Sequence, residues 1–330
     1  MIHILESLKF VQGATSESRL DPRLSHFLIK NGYVFGFNGM MQLSSPIDVD
    51  PEYTLAPRAK HLIHTLEQCS EDVVMSLTDT GNLRFVSKNF SAVVPTNPPD
   101  EMAIEIPPQG RNFVSSPNLL EVFRTMKPFI SDDASRTWST GILIGGGYAY
   151  ATNNIVVAKM PTGLKTELWF NLPLHVVDEM LRVNENPNGF SIFENGTKIT
   201  VYYPGHRLIT SVLGSMEWPN LNNILDKLEY EGYNYVSAVL HGVDKVVHFC
   251  DDEGCVYVSP ECVHTALDTK SEGAVVQTST GAADTTRYSV AMLNKLRGEG
   301  NRIDLKPYPG PAPFWNHETG LKGAIVGAQI

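Results

Sequence analysis

An internal repeat constrains this chain more than any other feature of its sequence. A helix-like apolar stripe followed by alternating, strand-like runs recurs at nearly constant spacing along the 330 residues. The first stripe is centred in turn on Leu8, Phe123 and Leu240, which are 115 and 117 residues apart. The second is centred on Leu66, Met180 and Leu296, at intervals of 114 and 116 residues. Three copies, each with two helix-plus-strands halves, predict a ring or array of similar units instead of an active-site cleft.

Composition supports a folded, multi-domain protein. Hydrophobic residues make up 42% of the chain and charged residues 19%, which is typical of globular proteins. A length of 330 residues exceeds the usual size of one core. No apolar run reaches the ~18 residues of a membrane span, and the first ten residues, with Glu6 and Lys9, do not resemble a signal peptide. We therefore expect no membrane association and a cytoplasmic location, the host cytoplasm if the chain is phage-encoded.

A metal site is the first chemical possibility to consider. The residues that suggest it are Cys250, Cys255, Cys262 and His264. Structural zinc sites usually have two close ligand pairs, a spacing that this group lacks, so free thiols on strands are favoured. No Ser-His-Asp order, nucleophile elbow or HExxH motif has supporting context either. The sequence therefore predicts no cofactor and no enzymatic activity. An enzyme that uses a metal bound in this region ranks third, behind two non-enzymatic functions that are considered below.

The coarse secondary structure follows the repeat and predicts an α+β fold. Apolar helical faces mark six segments: 5–13, 57–68, 117–128, 173–183, 235–246 and 288–297. Turn residues predict hairpins at 31–32, 145–147 and 252–254, and a last strand over 322–330. The glycines at 145–147 resemble a phosphate-binding loop, but a strand follows them where such loops lead into a helix. With a proline-rich linker at 95–108, the predicted domains are 1–106, 107–225 and 226–330.

Charge is segregated between the helices and the rest of the chain. The six helical segments contain nine basic and six acidic residues, a net charge of +3. The chain totals 26 basic and 36 acidic residues, so the remainder carries 17 and 30, a net charge of −13. A segregated positive surface can hold DNA phosphates while the exterior remains acidic and soluble. Chance variation in small counts, on helices that merely face water, is the alternative explanation.

Two stretches resemble a known family, the bacterial-type DNA polymerase sliding clamp or beta processivity factor. Within 138–161, GILI at 141–144, the glycine turn, ATNN at 151–154 and VVAKMP at 156–161 are similar to the central-domain strands around Ala-Thr-Asp-Gly-His-Arg-Leu-Ala. EWPNL at 217–221 resembles the family's Gly-Arg-Phe-Pro-Asp-Tyr. NNI at 153–155 replaces the polar Asp-Gly-His-Arg core, and VGAQI at 326–330 replaces a Met-Pro-Met-Arg-Leu type ending. The resemblance covers essentially the whole chain and is to a divergent phage member.

The resemblance implies three clamp domains per chain and a head-to-tail homodimer, closed into a ring with helices inside and antiparallel sheets outside. Such a ring encircles double-stranded DNA without reading its sequence and tethers the replicative polymerase, which makes the protein a processivity factor. Partners would be double-stranded DNA, the polymerase and the clamp loader. The expected DNA-facing charges are Lys9, Arg58, Lys60, Arg124, Lys127, Arg182, Lys245, Lys295 and Arg297.

The resemblance also implies an apolar pocket that receives a short peptide from the polymerase or loader. By position, its lining would comprise Thr152, Asn154, Val156, Pro219, Asn223, Ile224, Val326, Ala328 and Ile330. Three of these, Val156, Ile224 and Val326, could equally be core residues of strands. The main alternative function is a viral β-rich structural or interaction protein that does not encircle DNA.

Overall fold

The structure is a computed structural model that describes residues 2–18, 20–70, 72–105, 107, 111–193, 195–232, 234–267 and 272–330. These residues form two compact units. Unit 1 comprises Met1–Pro117 and Asp178–Leu213, and unit 2 comprises Asn118–Val177 and Gly214–Ile330. None of the helices in the described part of the chain is both long and apolar enough to cross a membrane.

In the described residues, six helices form close to the predicted segments, and a seventh, α5 (Asn222–Leu225), lies where the sequence predicted none. They are α1 (Ile2–Val11), α2 (Ala59–Gln68), α3 (Leu119–Met126), α4 (Leu174–Val183), α5 (Asn222–Leu225), α6 (Val236–Val246) and α7 (Val290–Asn294). Short 3-10 turns extend α1, α3 and α6 at their C-terminal ends. The apolar stripes account for these helices, because their centres pack into the core. Five of the six stripe centres are buried and the sixth, Leu66, is half-buried.

Strands supply the rest of the regular structure. They are β1 (Leu28–Lys30), β2 (Tyr33–Phe37), β3 (Met41–Pro46), β4 (Ala56–Pro57), β5 (Val74–Leu77), β6 (Leu83–Ser87), β7 (Phe90–Val94), β8 (Thr96–Asn97), β9 (Arg111–Val114), β10 (Gly141–Gly145), β11 (Tyr148–Thr152), β12 (Val156–Pro161), β13 (Phe170–Pro173), β14 (Gly189–Ile192), β15 (Lys198–Tyr203), β16 (Arg207–Val212), β17 (Cys255–Ser259), β18 (Cys262–His264), β19 (Val275–Gln277), β20 (Thr286–Ser289), β21 (Arg302–Ile303), β22 (Ala312–Asn316) and β23 (Leu321–Ile325).

Unit 1 is built around one seven-stranded sheet in the order β1-β2-β3-β16-β15-β14-β9. The pairing of β3 with β16 joins two distant stretches of sequence, with Leu43 opposite Ile209. A three-stranded sheet, β5-β6-β7, and the short pair β4-β8 complete the unit. Helix α1 packs against β3, β2 and α2, and α2 packs against β7.

Unit 2 repeats this plan with a second seven-stranded sheet in the order β13-β10-β11-β12-β23-β22-β21. Here β12 pairs with β23, and Val157 lies opposite Ala324. A four-stranded sheet has the order β19-β18-β17-β20, and α6 packs against β18 and β19. Every strand pair in both units is antiparallel. The predicted mixture of helices and antiparallel sheets is therefore confirmed.

The structure repeats at the spacing found in the sequence. β11 and β12 begin and end 115 residues after β2 and β3. The three predicted domains are not separated by the two compact units, because the middle third of the chain contributes to both. The domain limits stay predictions, and the first one, at Ile106, lies outside the described residues.

Two local predictions are wrong. The turn at Asp252–Gly254 does not join two strands but leads from the 3-10 turn after α6 into β17, and the hairpin comes later, between β17 and β18. The last strand ends at Ile325 instead of Ile330, because the following residues leave the sheet to bond elsewhere. In contrast, Gly145–Gly147 forms the β10–β11 hairpin turn as predicted, with Gly146 and Gly147 at positive φ.

Candidate nucleic-acid and partner-peptide interfaces

In unit 1, predicted DNA-facing cations lie at the surface beside carboxylates. Lys9 Nζ is 2.6 Å from Glu67 Oε1, which links α1 to α2. Arg58, the residue before α2, has its guanidinium 2.7 Å from Glu17 Oε2, and this hydrogen bond lowers the pKa of Glu17. Lys60 is exposed on the first turn of α2. The helix surface therefore carries less net positive charge than its lysines and arginines alone suggest.

Arg182 has a structural environment that sequence reasoning missed. Its Nε lies 2.9 Å from Oε2 of Glu179, a carboxylate that is only 5% exposed. Its Nη2 also donates to the Phe10 carbonyl at 2.6 Å, at the C-terminal end of α1. Glu179 fits there because a Cβ on Gly13 would come within 2.2 Å of its carboxylate. Arg182 thus neutralises a buried charge and ties α4 to α1.

The cations of unit 2 show the same pairing. Arg297 Nη2 is 2.6 Å from Asp244 on α6, and Arg124 contacts Glu121 at 3.4 Å on α3. Lys295 donates to the Pro128 carbonyl at 2.6 Å, whereas Lys127 and Lys245 are exposed. A DNA-facing role for these residues stays a prediction. Exposed ion pairs contribute only ~0–1 kcal/mol, so a phosphate can compete for such cations.

Two of the same helices also carry exposed histidines. They are His61 and His64 on α2, His241 on α6 and His248 just after it. Sequence reasoning counted only lysine and arginine, although the three- and seven-residue spacings of these histidines place them on common helical faces. The predicted DNA-facing helices therefore carry exposed imidazole groups beside their lysines and arginines.

The cysteines and the histidine of the 250–264 region, which suggested a metal site, do not come together as one among the described residues. The His264 ring nitrogens lie 3.0 Å from the Ser259 hydroxyl and 2.7 Å from the Ala266 carbonyl. The four cysteines are free, and within the ranges described no group of three or more His, Cys, Asp or Glu residues could hold a metal ion. Cys255 is buried on β17, which pairs with β18.

In unit 2, the turn between β11 and β12 presents an exposed apolar side chain. The Asn153 Oδ1 accepts hydrogen bonds from the backbone N–H groups of Ile155 and Val156, at 3.1 and 2.8 Å. Asn154 has a φ of 72°, a left-handed conformation that Asn tolerates better than most residues. As a result Ile155, at the tip of the turn, points its side chain out of the core and is 43% exposed.

Residues 218–228, which we call the linker of unit 2, pack on one face of the same sheet. Leu221 and Leu225, at the start and end of α5, are buried against Val157 and Ala324. Ile224 lies between them on the other side of α5 and is exposed. The floor under the linker is thus apolar and closed, while its outer surface keeps one large aliphatic side chain in water.

The last residues of the chain are held by specific hydrogen bonds. The Val326 N–H donates to the Ile155 carbonyl at 2.9 Å, and the Ala328 N–H donates to the Arg287 carbonyl at 2.8 Å. The Tyr308 hydroxyl donates to the Ala328 carbonyl at 2.7 Å. We call the β11–β12 turn, residues 219–225 with α5, and residues 326–330 together the unit-2 junction.

The predicted pocket residues divide into two groups. Exposed at the unit-2 junction are Asn154, Pro219, Asn223, Ile224, Val326 and Ile330, with Ala328 half-buried. Thr152 and Val156 are buried, and the Thr152 hydroxyl donates to the Val156 carbonyl at 2.8 Å. Side chains alternate along β12, so Val156 faces the core and Val157 faces the linker. Val157 and Ala324, which the resemblance did not indicate, form the floor.

The glycine turn of unit 2 has a packing role. A Cβ on Gly145 would lie 2.1 Å from the Trp169 ring, so the indole needs a glycine beneath it. Trp169 stacks on Tyr150 with ring centroids 5.9 Å apart. Together with Trp218 and Met216 they line a concavity of about 360 Å³ beside the linker. The three glycines are explained without a phosphate ligand.

Proteins of known structure share this architecture. No family model and no curated protein sequence matches the chain. Solved structures match over nearly the full length of both chains. The DNA polymerase sliding clamp from Caulobacter crescentus is 16% identical, with a TM-score of 0.82 over 100% of this chain and 98% of that one.

Two further structures agree with the first. The sliding clamp from Pseudomonas aeruginosa is 14% identical, with a TM-score of 0.81 over 100% and 98% of the two chains. The beta subunit of DNA polymerase from Streptococcus pyogenes is 14% identical, with a TM-score of 0.80 over 99% and 97%. The chain therefore has, along its whole length, the fold of the bacterial DNA polymerase sliding clamp.

Proposed function

We propose that this protein is a DNA polymerase processivity factor, a sliding clamp that encircles double-stranded DNA. The full-length similarity to solved bacterial clamps, at TM-scores of 0.77–0.82, is the observation that carries the proposal. A closed ring holds DNA by topology, so it needs no contacts with base edges, which would oppose sliding. Its role in replication would place it in the cytoplasm.

The helix charges support a weak, mobile interaction with phosphates. Three of the predicted cations, Lys9, Arg58 and Arg297, lie within 2.7 Å of a carboxylate on another element. Exchange of these carboxylates for DNA phosphates gives attraction that depends strongly on salt and hardly on sequence. Such a surface suits a protein that must slide.

Free sheet edges support the predicted head-to-tail homodimer. Among the described residues, β5 of unit 1 pairs only with β6, and β19 of unit 2 pairs only with β18. All four residues of β5 are exposed. Leu77 lies on the core-facing side of this strand and is still 54% exposed. Val275 is similarly exposed on β19. Pairing β5 of one copy with β19 of the next would cover both edges and close a ring.

The unit-2 junction supports the binding of a partner peptide from the polymerase or the clamp loader. It presents Ile155, Ile224 and Val326 at the surface beside a rigid, hydrogen-bonded turn. Peptide anchors gain most of their affinity by burying a few apolar side chains on such a surface.

Retention on DNA tests the proposal. The protein is loaded by its cognate loader on a nicked circular plasmid and separated by gel filtration, with the same plasmid linearised as the control. We expect retention on the circle and rapid loss from the line, together with a dimeric mass by light scattering. Equal retention on both templates would refute encirclement, and it would favour a structural or interaction protein.

A further inference from the structure

A second surface of the molecule reproduces the unit-2 junction. An offset of 115 residues relates β2 and β3 to β11 and β12, and an offset of 114 residues relates the residues that pair with β3 and β12 across the sheet. Gln42 lies opposite Thr210 as Val157 lies opposite Ala324. The residue two positions beyond this partner is exposed in both units, as Val212 in unit 1 and Val326 in unit 2.

The turns at the two surfaces have the same hydrogen bonds. Asn38 Oδ1 accepts from the backbone N–H groups of Met40 and Met41, both at 3.0 Å, as Asn153 does from the two residues at the same places in its own turn. Gly39, with a φ of 93°, takes the left-handed position of Asn154. Met40 at the tip is 56% exposed and so corresponds to Ile155.

In unit 1, residues 102–105 lie against the seven-stranded sheet as the linker of unit 2 does, and we call them the linker of unit 1. In unit 1 the Gln42 side chain donates to the Glu105 carbonyl at 2.8 Å and accepts from the Glu105 N–H at 2.9 Å. This reciprocal pair fixes the linker and satisfies the Gln42 amide, which then does not compete for a ligand. A concavity of about 300 Å³ lies beside it, and its apolar lining includes Phe37, Met40, Met102, Ile104 and Val212. We call it the unit-1 notch.

We propose that the unit-1 notch is a second binding site for a short partner peptide, one with apolar anchors and a basic flank. Methionine-rich surfaces adapt to different apolar side chains, which suits such a ligand. The adjoining segment 99–105 carries Asp100, Glu101 and Glu105 and no basic residue, and Lys198 forms an ion pair with Glu105. The segment 214–232 at the unit-2 junction is also acidic, with four carboxylates and one lysine.

The inference rests on the proposed peptide role of the unit-2 junction, and the two can be tested separately. The probe is a labelled hexapeptide, Lys-Gln-Leu-Asn-Leu-Phe, titrated into the full chain by calorimetry and by fluorescence anisotropy. We expect two peptides per chain for the unaltered protein and one for Val212→Asp. Ile224→Asp should also retain one, and the double variant none.

A matched control separates a local effect from a general one. Val93 on β7 is 53% exposed and Val212 is 54% exposed, so Val93→Asp places the same charge on an equally accessible strand of the same unit. It should still bind two peptides, whereas Val212→Asp should weaken one site by about tenfold or more. Met40→Asp, on the exposed turn, should have the same effect and replaces Val212→Asp if that variant fails to fold.

Each outcome decides between the proposals. One peptide per chain that is lost in Ile224→Asp and unaffected by Val212→Asp and Met40→Asp would overturn the second site and leave the proposed function intact. Two peptides per chain in all single variants would place binding elsewhere. No binding to a protein that is retained on circular DNA would overturn both peptide sites without touching DNA encirclement.

Discussion

Replacement of Arg182 by alanine separates structural from DNA-facing cations. Glu179 is 5% exposed, and among the described residues its ion pair is with the Arg182 guanidinium. Arg182→Ala would therefore leave a carboxylate buried without its counter-charge. Breaking a buried pair in this way typically costs 3–5 kcal/mol. Because the Arg182 side chain is 43% exposed and water can enter its place, we expect the lower end, about 3 kcal/mol.

The size of unit 1 determines how far this loss of stability lowers the midpoint of thermal unfolding. Met1–Pro117 and Asp178–Leu213 contain 117 and 36 residues, 153 in all. For a unit of that size each kcal/mol lowers the midpoint of thermal unfolding by ~2–4 °C, so we expect a decrease of roughly 6–12 °C. Differential scanning calorimetry of the full chain at pH 7.5 measures it.

Two comparison variants make the reasoning refutable. Replacing both Glu179 and Arg182 by methionine removes the unpaired charge, and the midpoint should return to within about 3 °C of the unaltered protein. Lys60→Ala, at an exposed position of α2, should leave the midpoint unchanged and reduce retention on circular DNA. A midpoint shift below about 2 °C for Arg182→Ala, with DNA retention reduced as in Lys60→Ala, would contradict the structural role.

The remaining predictions concern the ring, the DNA, the peptide and pH. Leu77→Lys at the free edge of β5 should turn the dimer into a monomer by light scattering, because a charge would be buried in the contact. Arg124→Glu with Lys127→Glu should weaken retention on circular DNA, and the advantage of the unaltered protein should shrink as salt rises. Ile224→Asp should abolish stimulation of the cognate polymerase on primed template while leaving the dimer intact. Burial lowers the pKa of His26, so the unfolded chain binds this proton more readily, and stability should fall as the pH decreases through ~6.5; His26→Gln should flatten that decline.

Each of these predictions has a result that contradicts it. A dimer of undiminished affinity for Leu77→Lys would exclude β5 from the contact, and equal DNA retention at low salt would remove the two α3 cations from the DNA surface. Full polymerase stimulation by a folded Ile224→Asp variant would place the partner surface elsewhere. Identical pH profiles for His26→Gln and the unaltered protein would show that another group controls stability near neutral pH.

Local patterns in the sequence predicted most elements but not their distant partners. The stripes centred on Phe123 and Met180 gave helices whose observed limits differ from prediction by at most two residues, because burial of one helical face is a local, periodic signal. The pairing of β3 with β16 has no such signal, since the residue pattern of one strand is compatible with many other strands as partners.

The candidate site was predictable in its location and less so in its details. The resemblance indicated the region around Asn154 and Ile224, which the structure leaves exposed. It indicated Val156 in place of Val157, and on a strand a shift of one residue moves a side chain to the opposite face. The environment of Arg182 was hidden because its partner Glu179 lies on the same helix, where a surface ion pair is the ordinary expectation.

The pairing of β3 with β16 has a consequence for synthesis of the chain. Pro46, the last residue of β3, is made 161 residues before Arg207, the first residue of its partner strand. At ~5–20 residues per second, a ribosome takes roughly 8–30 s to make that stretch, and the edge of β3 has no native partner meanwhile. We expect nascent chains stalled within this window to bind chaperones or to aggregate, and release from chaperones to follow the emergence of β16. Each seven-stranded sheet is thus completed only late in translation. Until then, its unpaired strand edge can take part in aggregation.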